Sequence, residues 1–258
     1  MPVDNEIYNR PGDIWWDERE PLSAIRTAIN PARLDYFTRV LKDLGVDPAG
    51  KTVLDIGCGG GLFAEEFARM NARVIGVDPS TPSIATARSH AGRAGLSIDY
   101  RVAVGEKLPL ESGSADIACC VDVLEHVDDL DAVISETARV LRTGGVYLFD
   151  TINRTGMSRL VMIKLLQEWR LTALMPPNLH AWEQFITPGE LRTVMSRHHL
   201  ESRDMVGIGP GVKPPRLISL LWQLRTGRIS HGELGHRAQF VVTRDLRVSY
   251  AGHAIRLT

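Results

Sequence analysis

The residues best suited to chemistry stand together in Asp122-Val-Leu-Glu-His126. Asp122, Glu125 and His126 are spaced i, i+3 and i+4, so one helical turn would put all three on one face. Two carboxylates and an imidazole can hold a divalent ion such as Mg2+, with positions left for water or a substrate oxygen. An oxygen acid bound to such an ion loses its proton more readily. Without a metal, His126 is placed to act as a general base. The plainer alternative is that the carboxylate caps a helix and the imidazole supports a loop.

A second constellation is Val53-Leu-Asp-Ile-Gly-Cys-Gly-Gly-Gly61. A short β-rich apolar run ends in an acid, and glycines then let the backbone turn sharply and approach a ligand. Asp55 at the strand end can take up an ordered water or an ammonium group. Asp78 ends the next apolar run and is placed to accept from both hydroxyls of a ribose. The competing reading is a dinucleotide fold with G-x-G-x-x-G, but the position three after Gly59 is Leu62. Asp55, just before the glycines, would also repel a pyrophosphate. The pattern therefore favours S-adenosylmethionine (SAM), which has no pyrophosphate.

These residues need a frame. Runs 52–56, 73–77, 99–103, 115–121 and 146–151 read as strands, with helices over 62–70, 82–94 and 129–141. This alternation predicts an α/β fold with a mostly parallel sheet and helices on both sides. Run 115–121 is apolar at almost every position, as expected of a strand buried on both faces. An N-terminal helix is expected from Asn30, as N-cap, with Pro31 in the first turn. Stretch 158–174 reads as helical, 188–198 as a helix, 200–207 as an edge strand, and 239–244 and 247–257 as the last strands. The chain is read as one domain, 1–258. Its core is about 46–154, its N-terminal cover 1–45, and its lid insertions about 155–186 and 209–235.

The 258 residues carry 30 Lys plus Arg against 31 Asp plus Glu, a net charge of -1 that gives no footprint for nucleic acid. Cys58, Cys119 and Cys120 form no CxxC pair, which points to a reduced, cytoplasmic protein. Cys119 and Cys120 are expected as core packing. No secretory signal is read in the polar first thirty residues, and no apolar stretch is long enough to span a bilayer.

In order, Val53–Gly61, Gly76-Val-Asp78, Gly105-Glu-Lys-Leu-Pro109, Asp116-Ile-Ala-Cys119 and Leu141-Arg-Thr-Gly-Gly145 resemble the motifs of Rossmann-like class I SAM-dependent methyltransferases. Beyond the core, Trp15-Trp16-Asp17 and Ile29-Asn-Pro-Ala-Arg-Leu-Asp-Tyr36 resemble one subfamily, the ubiquinone-biosynthesis O-methyltransferases. So do Thr151-Ile-Asn-Arg154, Leu179-His-Ala-Trp-Glu-Gln-Phe-Ile-Thr-Pro188 and Val248-Ser-Tyr-Ala-Gly-His-Ala254.

The resemblance implies methylation of a phenolic hydroxyl on a polyprenylated ring. It implies a cofactor set of Arg33, Asp55, Gly57, Cys58, Gly59, Gly61, Asp78, Pro79, Glu106 and Val121, with Arg33 on the SAM carboxylate. It implies a metal set of Asp122, Glu125, His126 and His180, with His126 and His180 also candidates for catalysis. Two departures stand out: Asp122 replaces the family's usual Glu, and 209–235 is longer and more basic than the family's loop.

Two further readings therefore stay open. One is an O-methyltransferase acting on a soluble aromatic or polyketide scaffold, and the other a C- or N-methyltransferase. A SAM-binding regulator without activity is disfavoured, because the cofactor motif, the candidate cluster and an apolar lid occur together. The partner expected is a small aromatic molecule. Stretches 158–174 and 217–224 mix apolar and basic residues and are candidates for contact with a membrane interface.

Overall fold

The computed structural model describes residues 5–9, 14–170 and 172–258. Its strands are β1 (Thr52–Ile56), β2 (Arg73–Asp78), β3 (Ile98–Val102), β4 (Ala115–Val121), β5 (Leu141–Ile152), β6 (Leu200–Pro210), β7 (Phe240–Thr243) and β8 (Ser249–Arg256). They form one sheet in the order β3-β2-β1-β4-β5-β8-β6-β7. The pairs among β1 to β5 are parallel, and those joining β5, β8, β6 and β7 are antiparallel.

The helices are α1 (Asn30–Asp43), α2 (Leu62–Arg69), α3 (Thr81–Arg93), α4 (Leu130–Val140), α5 (Gly156–Ser158), α6 (Pro188–Arg197), α7 (Pro214–Arg225) and α8 (His231–Ala238). Phe37, Phe63, Phe67 and Ile84 of α1 to α3 pack with Val53, Ile117 and Cys119. Ile134 and Ala138 of α4, with Leu191 and Met195 of α6, pack with Leu54, Ala118 and Cys120. Successive residues of β4 thus enter opposite cores, which is why its sequence is apolar throughout. Both Cys119 and Cys120 are core residues, as expected.

The chain leaves β1 for β2 and β3 on one side, then returns to β4 on the other. Crossovers diverge at that point, and the carboxyl ends of β1 and β4 border a crevice. The N-terminal segment covers it. Ser80 Oγ and Ser83 Oγ both donate to the Tyr8 carbonyl, at 2.6 and 2.8 Å. Trp15 Nε1 donates to Ser83 Oγ, and Trp16 Nε1 to the Gly60 carbonyl.

Three of the expected elements take a different form. Asn30 is not an N-cap, because a π-helical turn, Ile25–Ile29, runs straight into α1. Its side chain instead accepts from Arg33. β6 is not an edge strand: it pairs with β8 on one side and β7 on the other. The 158–174 stretch is helical only to Glu168, with α5 continuing as a π-helix over Arg159–Glu168.

Candidate active site

The crevice is lined by Tyr8, Trp15, Ile25, Asn30, Asp55, Gly57, Cys58, Leu62, Phe63, Val121 and Asp122. Its floor is the loop between β1 and α2. Gly57 has φ +69°, and a Cβ there would stand 2.2 Å from Val123 Cγ2, so both backbone freedom and bareness are required. The loop is tied to β2: Gly59 N donates to Asp78 Oδ2 at 2.9 Å, and Ser80 N to Asp78 Oδ1 at 2.8 Å. Each Asp78 oxygen accepts one of these bonds and keeps a lone pair for a further donor.

Asp55 is buried, and its Oδ2 has no hydrogen-bond partner among the described residues. Burial, above all, pushes its carboxyl up to about 8. A cationic ammonium is the partner such a group fits. In the ligand-free chain the folded state keeps this proton well above the ordinary carboxylate value of 3.8, so Asp55 erodes stability as pH rises from about 4 to about 8. Asp55→Asn is therefore expected to melt like the parent near pH 4, melt higher near pH 8, and bind SAM more weakly. Melting curves across that range and calorimetric titration with SAM check this; equal melting temperatures at every pH would refute it.

Arg33, expected on the SAM carboxylate, is instead buried in an ion pair. Its Nη1 donates to Asp122 Oδ2 at 2.6 Å, and its Nη2 to Asp122 Oδ1 and Asp150 Oδ1, both at 2.5 Å. The side chain is 2% exposed and Asp150's is 1%. Burial raises the Asp150 carboxyl. Burial would also raise that of Asp122, but the Arg33 charge and hydrogen bonds outweigh it and hold it low. Asp122 sits at φ +54°, a left-handed conformation that a non-glycine residue needs a reason to hold, and the forked contact with Arg33 supplies one.

This displaces Asp122 from the expected metal set. A 3-10 turn, Leu124–His126, follows β4, and Asp122 lies before it on reversed backbone. The assumed single helical face does not form. Glu125, His126 and His180 do come together: one ligand-type atom from each lies within 4.8 Å of the others. Thr151 Oγ1 donates to Glu125 Oε2 at 2.7 Å. Glu125 Oε1, His126 Nδ1 and His180 Nδ1 are buried with no hydrogen-bond partner among the described residues.

Burial, with the Asp122 charge, pushes Glu125 up to about 7. Burial also pulls His126 down to about 4 and His180 down to about 3, so both imidazoles are neutral.

Of the expected cofactor residues, Asp55, Gly57, Cys58 and Val121 line the crevice. Gly59 and Asp78 brace the loop, and Gly61 caps α2 with φ +88°. Arg33, Pro79 and Glu106 are not in its lining. Tyr8 was missed. It stacks on Trp15 at 5.7 Å and meets the His126 ring edge-on at 5.7 Å, joining the crevice to the histidines. Its own sequence surroundings carry no periodic or motif signal that marks it.

Residues 54–149 match the family model of the methyltransferase domain. A ubiquinone biosynthesis O-methyltransferase of Azorhizobium caulinodans is 34% identical over 217 residues, which cover 80% of this chain and 83% of that protein. The chain belongs to the ubiquinone biosynthesis O-methyltransferase family. Another ubiquinone biosynthesis O-methyltransferase, from Xanthomonas axonopodis pv. citri, is 36% identical over 195 residues, 75% of this chain and 78% of that one. The fold also matches a solved structure described for the conversion of a disulfide bond into a thioacetal group during echinomycin biosynthesis. There the TM-score is 0.63 at 20% identity, over 98% of this chain and 91% of that one. As a member of this family the chain is a SAM-dependent O-methyltransferase with a class I fold, and it acts on a small molecule.

Proposed function

We propose that this O-methyltransferase methylates a phenolic oxygen of a catechol-like ring, and that a quinone precursor carrying a polyprenyl tail is its acceptor. The observation that carries the reading is the Glu125–His126–His180 cluster beside the cofactor crevice. When bound, SAM supplies an electrophilic methyl on a sulfonium, and a divalent ion supplies the charge that makes a phenol acidic. Asp55 receives the ammonium, Asp78 the ribose, and Tyr8 and Trp15 keep water out. The protein's main work is alignment and exclusion of solvent.

The cluster's donors are one carboxylate and two neutral imidazoles, with Asp122 taken by Arg33. That set suits Zn2+, Mn2+ or Fe2+ better than the Mg2+ expected from two carboxylates, because Mg2+ prefers oxygen. A metal-free route through the histidines is less favourable. Imidazoles held at about 4 and about 3 are weak bases for a phenol whose ordinary pKa is about 10.

Radiolabelled SAM with a panel of phenols, catechols and prenylated catechols tests the reading. Catechols are expected to accept the methyl and simple phenols to accept it poorly. Transfer to none of the catechols would refute the proposal.

A tailed acceptor lives in a bilayer. Ile218 is 67% exposed and Trp222 50% exposed on α7, and Lys213, Arg216, Arg225 and Arg228 surround them without a carboxylate from 205 to 232. Among the described residues none of these four cations has an ion pair. Stretch 158–174 adds exposed Leu160 and Trp169. These faces are the part of the proposal that touches a membrane interface. Flotation with anionic vesicles is expected to carry the protein up, and Ile218→Ser with Trp222→Ser to reduce this; absence of flotation would remove the membrane from the reading.

A further inference from the structure

His180 reaches the cluster from a loop, and something must hold it there. Among the described residues, no backbone group bonds to its N–H or C=O. The side chain of Gln167 serves both. Gln167 Nε2 donates to the His180 carbonyl at 3.1 Å, and the His180 N–H donates to Gln167 Oε1 at 2.8 Å. Gln167 is 8% exposed and His180 9%. A buried carboxamide that bonds to the N–H and the C=O of one residue, and so to the peptide groups on both sides of it, fixes position and orientation together.

Gln167 lies on the π-helix Arg159–Glu168, inside the insertion that follows β5. The same insertion and the His180 loop line an open pocket of about 160 Å3, with Arg159, Gln167, His180 and Trp182 in its wall. The Arg159 guanidinium lies 5.3 Å from the Trp182 ring centre, which ties insertion and loop a second time. The His180 ring stands 5.0 Å from that of His126. A shift of the insertion would therefore travel through one amide pair into the cluster.

We propose that Gln167 is the positioning residue of His180, so that seating of the insertion is the condition for a complete Glu125–His126–His180 cluster. The inference rests on the proposed role of that cluster in methyl transfer. Gln167 does not touch the cofactor crevice, so its effect separates cleanly from SAM binding.

The test uses the full chain with 15N-labelled histidine and two variants. Gln167→Leu keeps the bulk and removes both hydrogen bonds. Its kcat is expected to fall about 10–100-fold, the usual cost of losing a residue that orients a ligand. SAM affinity should stay within about twofold. The ring-nitrogen resonances of His180, assigned with His180→Ala, should shift while those of His90 and His198 do not. Gln167→Glu keeps an acceptor for the His180 N–H and should fall between the parent and Gln167→Leu in both readouts.

Packing alone would lower the melting temperature of Gln167→Leu, yet leave kcat and the His180 resonances in place; that result overturns the proposal. Should Gln167→Leu fail to fold, Gln167→Glu decides in the same way, with full kcat and unmoved His180 resonances against it. If the parent chain methylates no catechol, the functional reading falls, and the histidine resonances alone still decide whether Gln167 positions His180.

Discussion

Arg33→Met lowers the stability of the chain by about 3–5 kcal/mol in chemical denaturation, the cost of leaving a buried charge uncompensated. The guanidinium is almost fully buried between Asp122 and Asp150, and the Asp150 side chain has no solvent to turn to. A loss of that size is a large share of the roughly 5–15 kcal/mol that holds a domain folded. Arg33→Lys recovers only part of it, because an ammonium cannot offer the planar fork that reaches both carboxylates. Adding Asp150→Asn to Arg33→Met recovers part as well, since a buried carboxyl that has lost its donor gives way to an amide that carries no charge at any pH. The backbone of Asp122 at φ +54° loses its restraint, and the turn carrying Glu125 and His126 loosens with it. A loss under about 1 kcal/mol would mean that water or a rearranged neighbour replaces the guanidinium without penalty.

Replacing His180 by alanine or Glu125 by glutamine lowers methyl transfer roughly a hundred- to ten-thousand-fold. SAM affinity should hardly change, because neither residue lines the cofactor crevice. Chelation of the parent enzyme is expected to cost as much as either substitution, and to cost the substituted enzymes nothing further. Zn2+ or Mn2+ should restore the parent alone. Transfer assays after dialysis against a chelator, paired with calorimetric SAM titrations, check all of this. Undiminished activity after metal removal would turn the cluster from a metal centre into a proton-handling site, with Glu125, held near 7, the better base.

What could be read in advance was local. An acid before a glycine turn, and a second acid ending the next strand, read as the floor of a nucleoside site within a few residues; in the structure Asp55 and Gly57 line the crevice and Asp78 ties its loop to β2. β4 was legible because a strand buried on both faces has no polar side to hide. The ion pair of Arg33 was not legible, for its partners lie 89 and 117 residues away. The spacing argument for Asp122 failed for a related reason. It assumed helical backbone from Asp122 onward, and the long-range pull of Arg33 holds that residue in the left-handed region instead. Helix α8 was missed although Ser230 and Glu233 form a capping box at its start, a signal masked by two glycines in its eight residues. Gln167 offers no sequence signal at all, since its role depends on the backbone of a residue thirteen positions on.

On the proposed function, a methyl group leaves SAM in the crevice and lands on a phenolic oxygen. The most direct measurement is NMR of the product formed from SAM labelled with 13C at its methyl and a catechol acceptor. One new labelled resonance is expected, that of an aryl methyl ether, which disappears in His180→Ala. A label found on ring carbon or nitrogen, or an aryl ether formed equally well by His180→Ala, would contradict it.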